Sequence, residues 1–125
     1  MSKFDDKGYQ AYRILQFAFV VAPLIAGIDK FFNLLTNWSQ YLSPVAQHVL
    51  HYHNHEFMAA VGIIEIIAGI GVLLKPKFFA YVVALWLLAI TINLLLDFHY
   101  DIALRDFGLA LAAFSLGKLS QKYEN

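Results

Sequence analysis

The sequence predicts an all-α integral membrane protein: a four-helix bundle with antiparallel neighbours and a short interfacial helix in a long first loop. Three observations predict it. Of 125 residues, 60% are hydrophobic and only 14% are charged, against roughly a quarter charged in an ordinary soluble domain. The apolar residues fall in long uncharged runs. Short turns marked by proline and aspartate separate most of those runs. A small soluble domain buries only about 60–70% of its surface on folding, so in water this chain would leave a large apolar area exposed. Barrel strands alternate lipid-facing and lumen-facing residues, whereas these runs are continuously apolar.

The first run, 14–28, is uncharged and ends in Asp29-Lys30-Phe31-Phe32, which predicts a span over 12–32. A cleavable leader is not expected there, because no small-x-small site followed by polar sequence ends the run. The run 57–74 carries one charge, Glu65, and predicts a span over 56–74. The run 78–96 carries none and predicts a span over 78–98. The fourth, 107–117, is shorter; with its charged first turn at the interface it predicts a span over 102–119. Each approaches the roughly 20 residues that cross a hydrocarbon core of about 30 Å. The whole chain, 1–125, is expected to form one transmembrane domain.

The connections agree. Lys75-Pro76-Lys77 is a tight turn, because proline cannot continue the preceding helix. Residues 97–101 make a second short turn, and short loops leave sequential helices antiparallel. The stretch 33–56 is longer. Within it Ser43-Pro44 has the form of a helix N-cap followed by proline at the first helical position, which predicts a short helix from Pro44 to about Leu50. Val45, Val49 and Leu50 would face lipid or the bundle, and Trp38, Tyr41 and Tyr52 suit the headgroup zone.

Basic residues set the expected orientation. Lys3, Lys7, Arg13, Lys75, Lys77, Lys118 and Lys122 fall on one side; Lys30 and Arg105 fall on the other. Seven against two places both termini in the cytoplasm and every histidine outside. Nine basic and nine acidic residues balance, so a nucleic-acid partner is not expected. With no cysteine, disulfides, thiolate metal sites and iron–sulfur clusters are excluded.

Charges within spans are expensive, about 2.5–3.5 kcal/mol or more each. Glu65 lies about 13 Å into its helix. Gly62, Ala68 and Gly69 share its face, and small residues on one stripe mark a helix–helix contact, so Glu65 should point into the bundle. Asp29, Lys30, Asp97, His99, Asp101, Arg105 and Asp106 gather at the outer helix ends. Pairs such as Lys30–Asp97, or Arg105–Asp101 one turn apart, are expected. Two readings are open: charges that staple the helix ends, or an outward-facing polar pocket formed by Lys30, Glu65, Asp97 and Arg105, with Glu65 at its floor. Such a pocket would suit a quinone headgroup, an ion or a partner subunit. Arg13 would snorkel to lipid phosphate near Lys75 and Lys77. Gln16 and Asn93 should make interhelical hydrogen bonds. Pro23 should kink the first span or free a carbonyl. The pairs Ala22/Ala26, Ala80/Ala84 and Gly108/Ala112 would serve packing within the bundle or between copies.

His48, His51, His53 and His55 fall close together, followed by Glu56. As a helix, His48, His51 and His55 share one face; extended, His51, His53 and His55 do. Either would suit zinc, copper or nickel. The competing reading is a solvated loop, with Asn54 as N-cap of the second span. Phosphate-binding glycine loops, Gly-x-Ser-x-Gly and dinucleotide fingerprints are all missing.

Arg13 entering the first span and Gly27-x-x-Lys30-Phe31 leaving it, with Glu65, Gly69-x-Gly71-x-Leu73-Leu74 and a basic turn in the second, resemble DoxX-like membrane proteins. The resemblance covers nearly the whole chain; the histidine run lies outside it. It implies a small four-helix inner-membrane protein, and family members include subunits of a thiosulfate:quinone oxidoreductase and of redox-stress complexes. Missing cysteine separates the chain from the related MauE-type proteins. Three functions follow as expectations. The leading one is an accessory subunit of a quinone-linked membrane redox complex, not an enzyme by itself, with the bilayer and a larger complex or further copies as partners. The second is a quinone- or small-molecule-binding protein. The third is a metal-handling or transport protein that uses the histidines.

Overall fold

The computed structural model describes residues 5–51 and 53–124; Lys3, counted above for orientation, and Tyr52, assigned to the headgroup zone, lie outside the described residues. Every regular element in the described residues is helical. The long helices are α1 (Lys7–Asp29), α3 (Asn54–Leu74), α4 (Pro76–Leu96) and α5 (Tyr100–Tyr123), with a 3-10 turn (Trp38–Tyr41) and the short α2 (Pro44–Val49) between α1 and α3.

Local chemistry explains the boundaries. Asp6 caps α1 by accepting from Gly8 N–H at 2.9 Å, so the helix starts earlier than the apolar run. It continues through Pro23, which has no N–H to give the carbonyl of Phe19. It ends at Asp29, and the turn that follows closes at Asn33, which takes a φ of 52° and donates its N–H to the Asp29 carbonyl. Ser43 Oγ accepts from Ala46 N–H at 3.1 Å, and Pro44 opens α2, as the Ser-Pro pair predicts. The N-cap of α3 is His53, which makes no side-chain capping bond; Asn54, the expected cap, is instead the first helical residue. Lys75 alone separates α3 from α4, ending one and starting the other. Phe98, with a φ of 61°, turns the chain from α4 into α5.

Three of these helices, α1, α3 and α4, are long and apolar enough to cross a membrane. Only 22%, 33% and 28% of their most apolar stretches is buried within the fold. The remaining surface is the kind that lipid solvates and water does not. In α5 the apolar run is broken by Arg105 and Asp106 near its start and Lys118 near its end, so it falls short of the other three by composition, not by length.

Helix α1 packs along α3, and α4 along α5; the contacts of α1 with α5 and of α3 with α4 are less extensive. The core is Tyr12, Phe19, Val72, Ala80, Val83, Ala84, Ala113 and Leu116. Small residues allow the close approaches. A Cβ on Gly117 would sit 2.6 Å from the Tyr81 ring, and one on Gly71 would collide with the Phe79 ring. Of the small-residue pairs, Ala80/Ala84 pack inside the bundle. Gly108 faces open space, and Ala22 and Ala26 line a groove on the outward side of α1 with Phe17, Ile25 and Leu35.

Candidate functional site

The closest helix approach is built by two glycines. A Cβ on Gly27 of α1 would lie 2.6 Å from the carbonyl oxygen of Gly62 in α3, and a Cβ on Gly62 would lie 2.6 Å from that of Gly27. The two backbones therefore touch, and only glycine fits either position. Three residues beyond each glycine, close to one turn of helix, stand Lys30 and Glu65. Lys30 Nζ is 2.5 Å from Glu65 Oε1, with 7% and 12% of the two side chains exposed. At that distance the ammonium is the partner of this carboxylate oxygen, and the two buried charges compensate each other.

The loop after α1 closes over this pair. Trp38 lays its ring 3.9 Å from Lys30 Nζ, within the range of a cation–π contact. Its indole N–H donates to Asp29 Oδ2 at 2.9 Å. Asp29 is itself buried and also accepts from the amides of Leu34 and Leu35, both at 3.0 Å. A carboxylate in the last turn of a helix opposes the helix dipole; three N–H donors compensate it and fold the chain back over Lys30. Asn93 of α4 pins the other end of the loop. Its Oδ1 accepts from Ser43 N–H at 3.0 Å and its Nδ2 donates to the carbonyl of Tyr41 at 2.7 Å.

The structure thus joins Lys30 to Glu65, not to Asp97. Asp97 pairs with His99, Oδ2 to Nε2 at 2.9 Å, and the edge of Tyr41 packs on that imidazole at 5.4 Å. Arg105 is paired with Asp106 rather than Asp101, with Nε and Nη2 each 3.1 Å from Asp106 Oδ1. The reason is solvation. Asp106 is buried and needs a donor, whereas Asp101 is exposed. Lys30 and Glu65 form one site, while Asp97 and Arg105 are engaged elsewhere.

His48, His51, His53 and His55 are all exposed. They share no single element: His48 ends α2, His51 turns with a φ of 52°, His53 precedes α3 and His55 lies within it. Neither the continuous helix nor the extended strand forms, and no three histidine or carboxylate groups come together as a ligand set among the described residues. His53 Nδ1 instead lies 3.2 Å from the carbonyl of Leu50.

At the opposite end, where the termini lie, Gln16 is buried and spans two helices. Its Nε2 donates to the carbonyls of Val72 and Leu73, both at 3.2 Å, and its Oε1 accepts from Arg13 Nη1 at 2.8 Å. These carbonyls belong to the last turn of α3, which has no intrahelical donors of its own. Beside them Tyr9, Tyr12 and Tyr123 pack ring to ring. Tyr123 O–H donates to Asp6 Oδ2 at 2.8 Å. That bond and the Gly8 amide hold the Asp6 carboxyl below its ordinary range, and the carboxylate in turn pushes the Tyr123 hydroxyl up.

Sequence reading missed the roles of Asp29 and Trp38. The available signal was an acid in the final turn of a helix, where the dipole disfavours it. Comparison of the chain with protein-family models, with curated proteins and with solved structures found no match.

Proposed function

We propose that this chain is a DoxX-like inner-membrane protein acting as an accessory subunit of a quinone-linked membrane redox complex. On this reading the four long helices form an antiparallel bundle with α5 as the fourth span. Helix α2 lies at the outer interface, and both termini are cytoplasmic. One observation carries the reading. The separate sequence segments behind the resemblance pack on each other at both ends of a single helix pair. Gly27 and Lys30 of α1 meet Gly62 and Glu65 of α3. Arg13, through Gln16, meets the last turn of α3, where Gly71-x-Leu73-Leu74 lies. The charges near the loop are paired within the fold, which suits a subunit that supports a complex more than one that turns over substrate.

Removing the protein should lower quinone-dependent reductase activity in isolated membranes, and the tagged protein in mild detergent should carry that activity with it. Unchanged membrane activity, together with a tagged protein that carries none, would overturn the proposal. A second reading, a quinone- or small-molecule-binding protein, is favoured by one detail: Lys30 and Glu65 are ionisable groups buried within apolar helices, a placement that intramembrane ligand sites share. Glu65→Gln should then weaken quinone binding while leaving the bundle folded.

A further inference from the structure

The terminal end carries a cavity that the Lys30–Glu65 site does not explain. It measures about 570 Å³ and is lined by Leu74, Lys75, Lys77, Phe78, Gln121 and Glu124. Its character is divided. Lys75, Lys77 and Gln121 bring cationic and amide donors to its rim. Leu74 and Phe78 are 71% and 62% exposed and form an apolar wall beside the rim. Glu124 is the one acid among the described lining residues, and its Oε2 is engaged by the Lys77 amide at 3.0 Å. A soluble anion would use the rim and gain nothing from the wall. A lipid uses both, because its phosphate and its acyl chains meet at the depth where apolar helix surface gives way to lysine.

We propose that this cavity holds an anionic phospholipid, with its phosphate between Lys75, Lys77 and Gln121 and an acyl chain along Leu74 and Phe78. The inference rests on the membrane reading above. Lys75 and Lys77 supply the charge, Gln121 a neutral donor, and Glu124 limits affinity by offsetting one lysine. The site lies on the side that holds most basic residues, the leaflet face to which anionic lipids are drawn.

The test uses the purified full chain in mild detergent, titrated with short-chain phosphatidylglycerol, phosphatidylcholine or glycerol 3-phosphate, with adducts read by native mass spectrometry. Phosphatidylglycerol should bind more tightly than phosphatidylcholine. Lys75→Gln and Lys77→Gln should each reduce that binding about fivefold, and Glu124→Gln should strengthen it. Lys7→Gln and Asp5→Asn make the same charge changes at exposed positions outside the cavity and should have little effect. Equal effects from the control and cavity substitutions would show diffuse attraction and overturn the site. Binding of glycerol 3-phosphate as tight as that of the lipid would overturn the lipid assignment. Alkaline carbonate extraction separates the two levels. Release of the chain from membranes overturns the membrane reading, whereas a retained chain that does not distinguish the two lipids overturns only this site.

Discussion

The α1–α3 and α4–α5 contacts solve the same problem with different chemistry. Lipid tails are as apolar as leucine, so helices in a bilayer associate through close packing and polar contacts rather than through the hydrophobic effect. Helices α4 and α5 meet through alanines, aliphatic side chains and the Tyr81 ring on Gly117, with Ala80, Ala84, Ala103, Ala110, Ala113 and Leu116 buried. Two of their buried hydroxyls turn back on their own helices, Thr91 donating to Leu87 and Ser120 to Leu116. Helices α1 and α3 meet through glycines, and side chains cross from one helix to the other at both ends of the contact, Lys30 to Glu65 and Gln16 to Val72. The first contact takes its register from shape, with the Tyr81 ring seated on Gly117. The second adds charge and hydrogen bonding to shape, so sliding it would unpair Lys30, Glu65 and Gln16.

The largest effect should come from filling the glycine contact. Gly27→Val or Gly62→Val would force a side chain into a carbonyl at 2.6 Å, and the chain should no longer elute as a folded, monodisperse species. Gly108→Ala, facing open space, should leave elution and melting temperature unchanged or slightly improved. Comparable behaviour of these variants would show that the Gly27–Gly62 approach is not what holds α1 on α3.

Next comes the ion pair. Removing one partner of a buried pair costs about 3–5 kcal/mol, while replacing both with apolar groups is often neutral. Lys30→Met and Glu65→Leu should each lower thermal stability strongly, and the double substitution should recover most of the loss. If the two single losses simply add, the pair is not coupled.

Gln16→Leu removes the donor to the last turn of α3 and should cost about 1–3 kcal/mol. Thr91→Val in α4 removes only an intrahelical bond and should cost less than about 1 kcal/mol. Equal losses in a melting assay would show that the α1–α3 contact gains nothing special from its polar ends. The smallest effect belongs to the Asp6–Tyr123 clasp. The folded Asp6 carboxyl titrates lower than in the unfolded chain, so its contribution is present above the ordinary carboxylate range and is lost as pH falls through the folded value. The Tyr123 hydroxyl titrates higher, so its contribution is present below the ordinary tyrosine range and is lost as pH rises through the folded value. Protection of the Gly8 amide from hydrogen exchange should decline on the acid side in the native protein, and Asp6→Asn should flatten that decline.

Much of this was legible in the residues. Uncharged runs marked α1, α3 and α4, and Ser43-Pro44 marked the start of α2; Lys75-Pro76-Lys77 marked the break before α4, which begins within that turn at Pro76. The small residues around Glu65 showed that it faces another helix. Its partner was not legible, because pairing between α1 and α3 depends on where Gly27 and Gly62 cross, and no local spacing encodes that. The rule of one helical turn assigned Arg105 to Asp101, since it takes no account of the burial of Asp106. The histidines were read on one periodicity, helical or extended, but the turn at His51 divides them among separate elements.

Lys75 is the whole connection between α3 and α4, and this bears on how the chain enters a bilayer. With a single residue between them the two helices have no slack to arrive separately. Entering a bilayer, they would arrive together as one hairpin with Lys75 and Lys77 at its tip. Integration of α3 would thereby be tied to that of α4, and a flexible insert at this turn would uncouple the two.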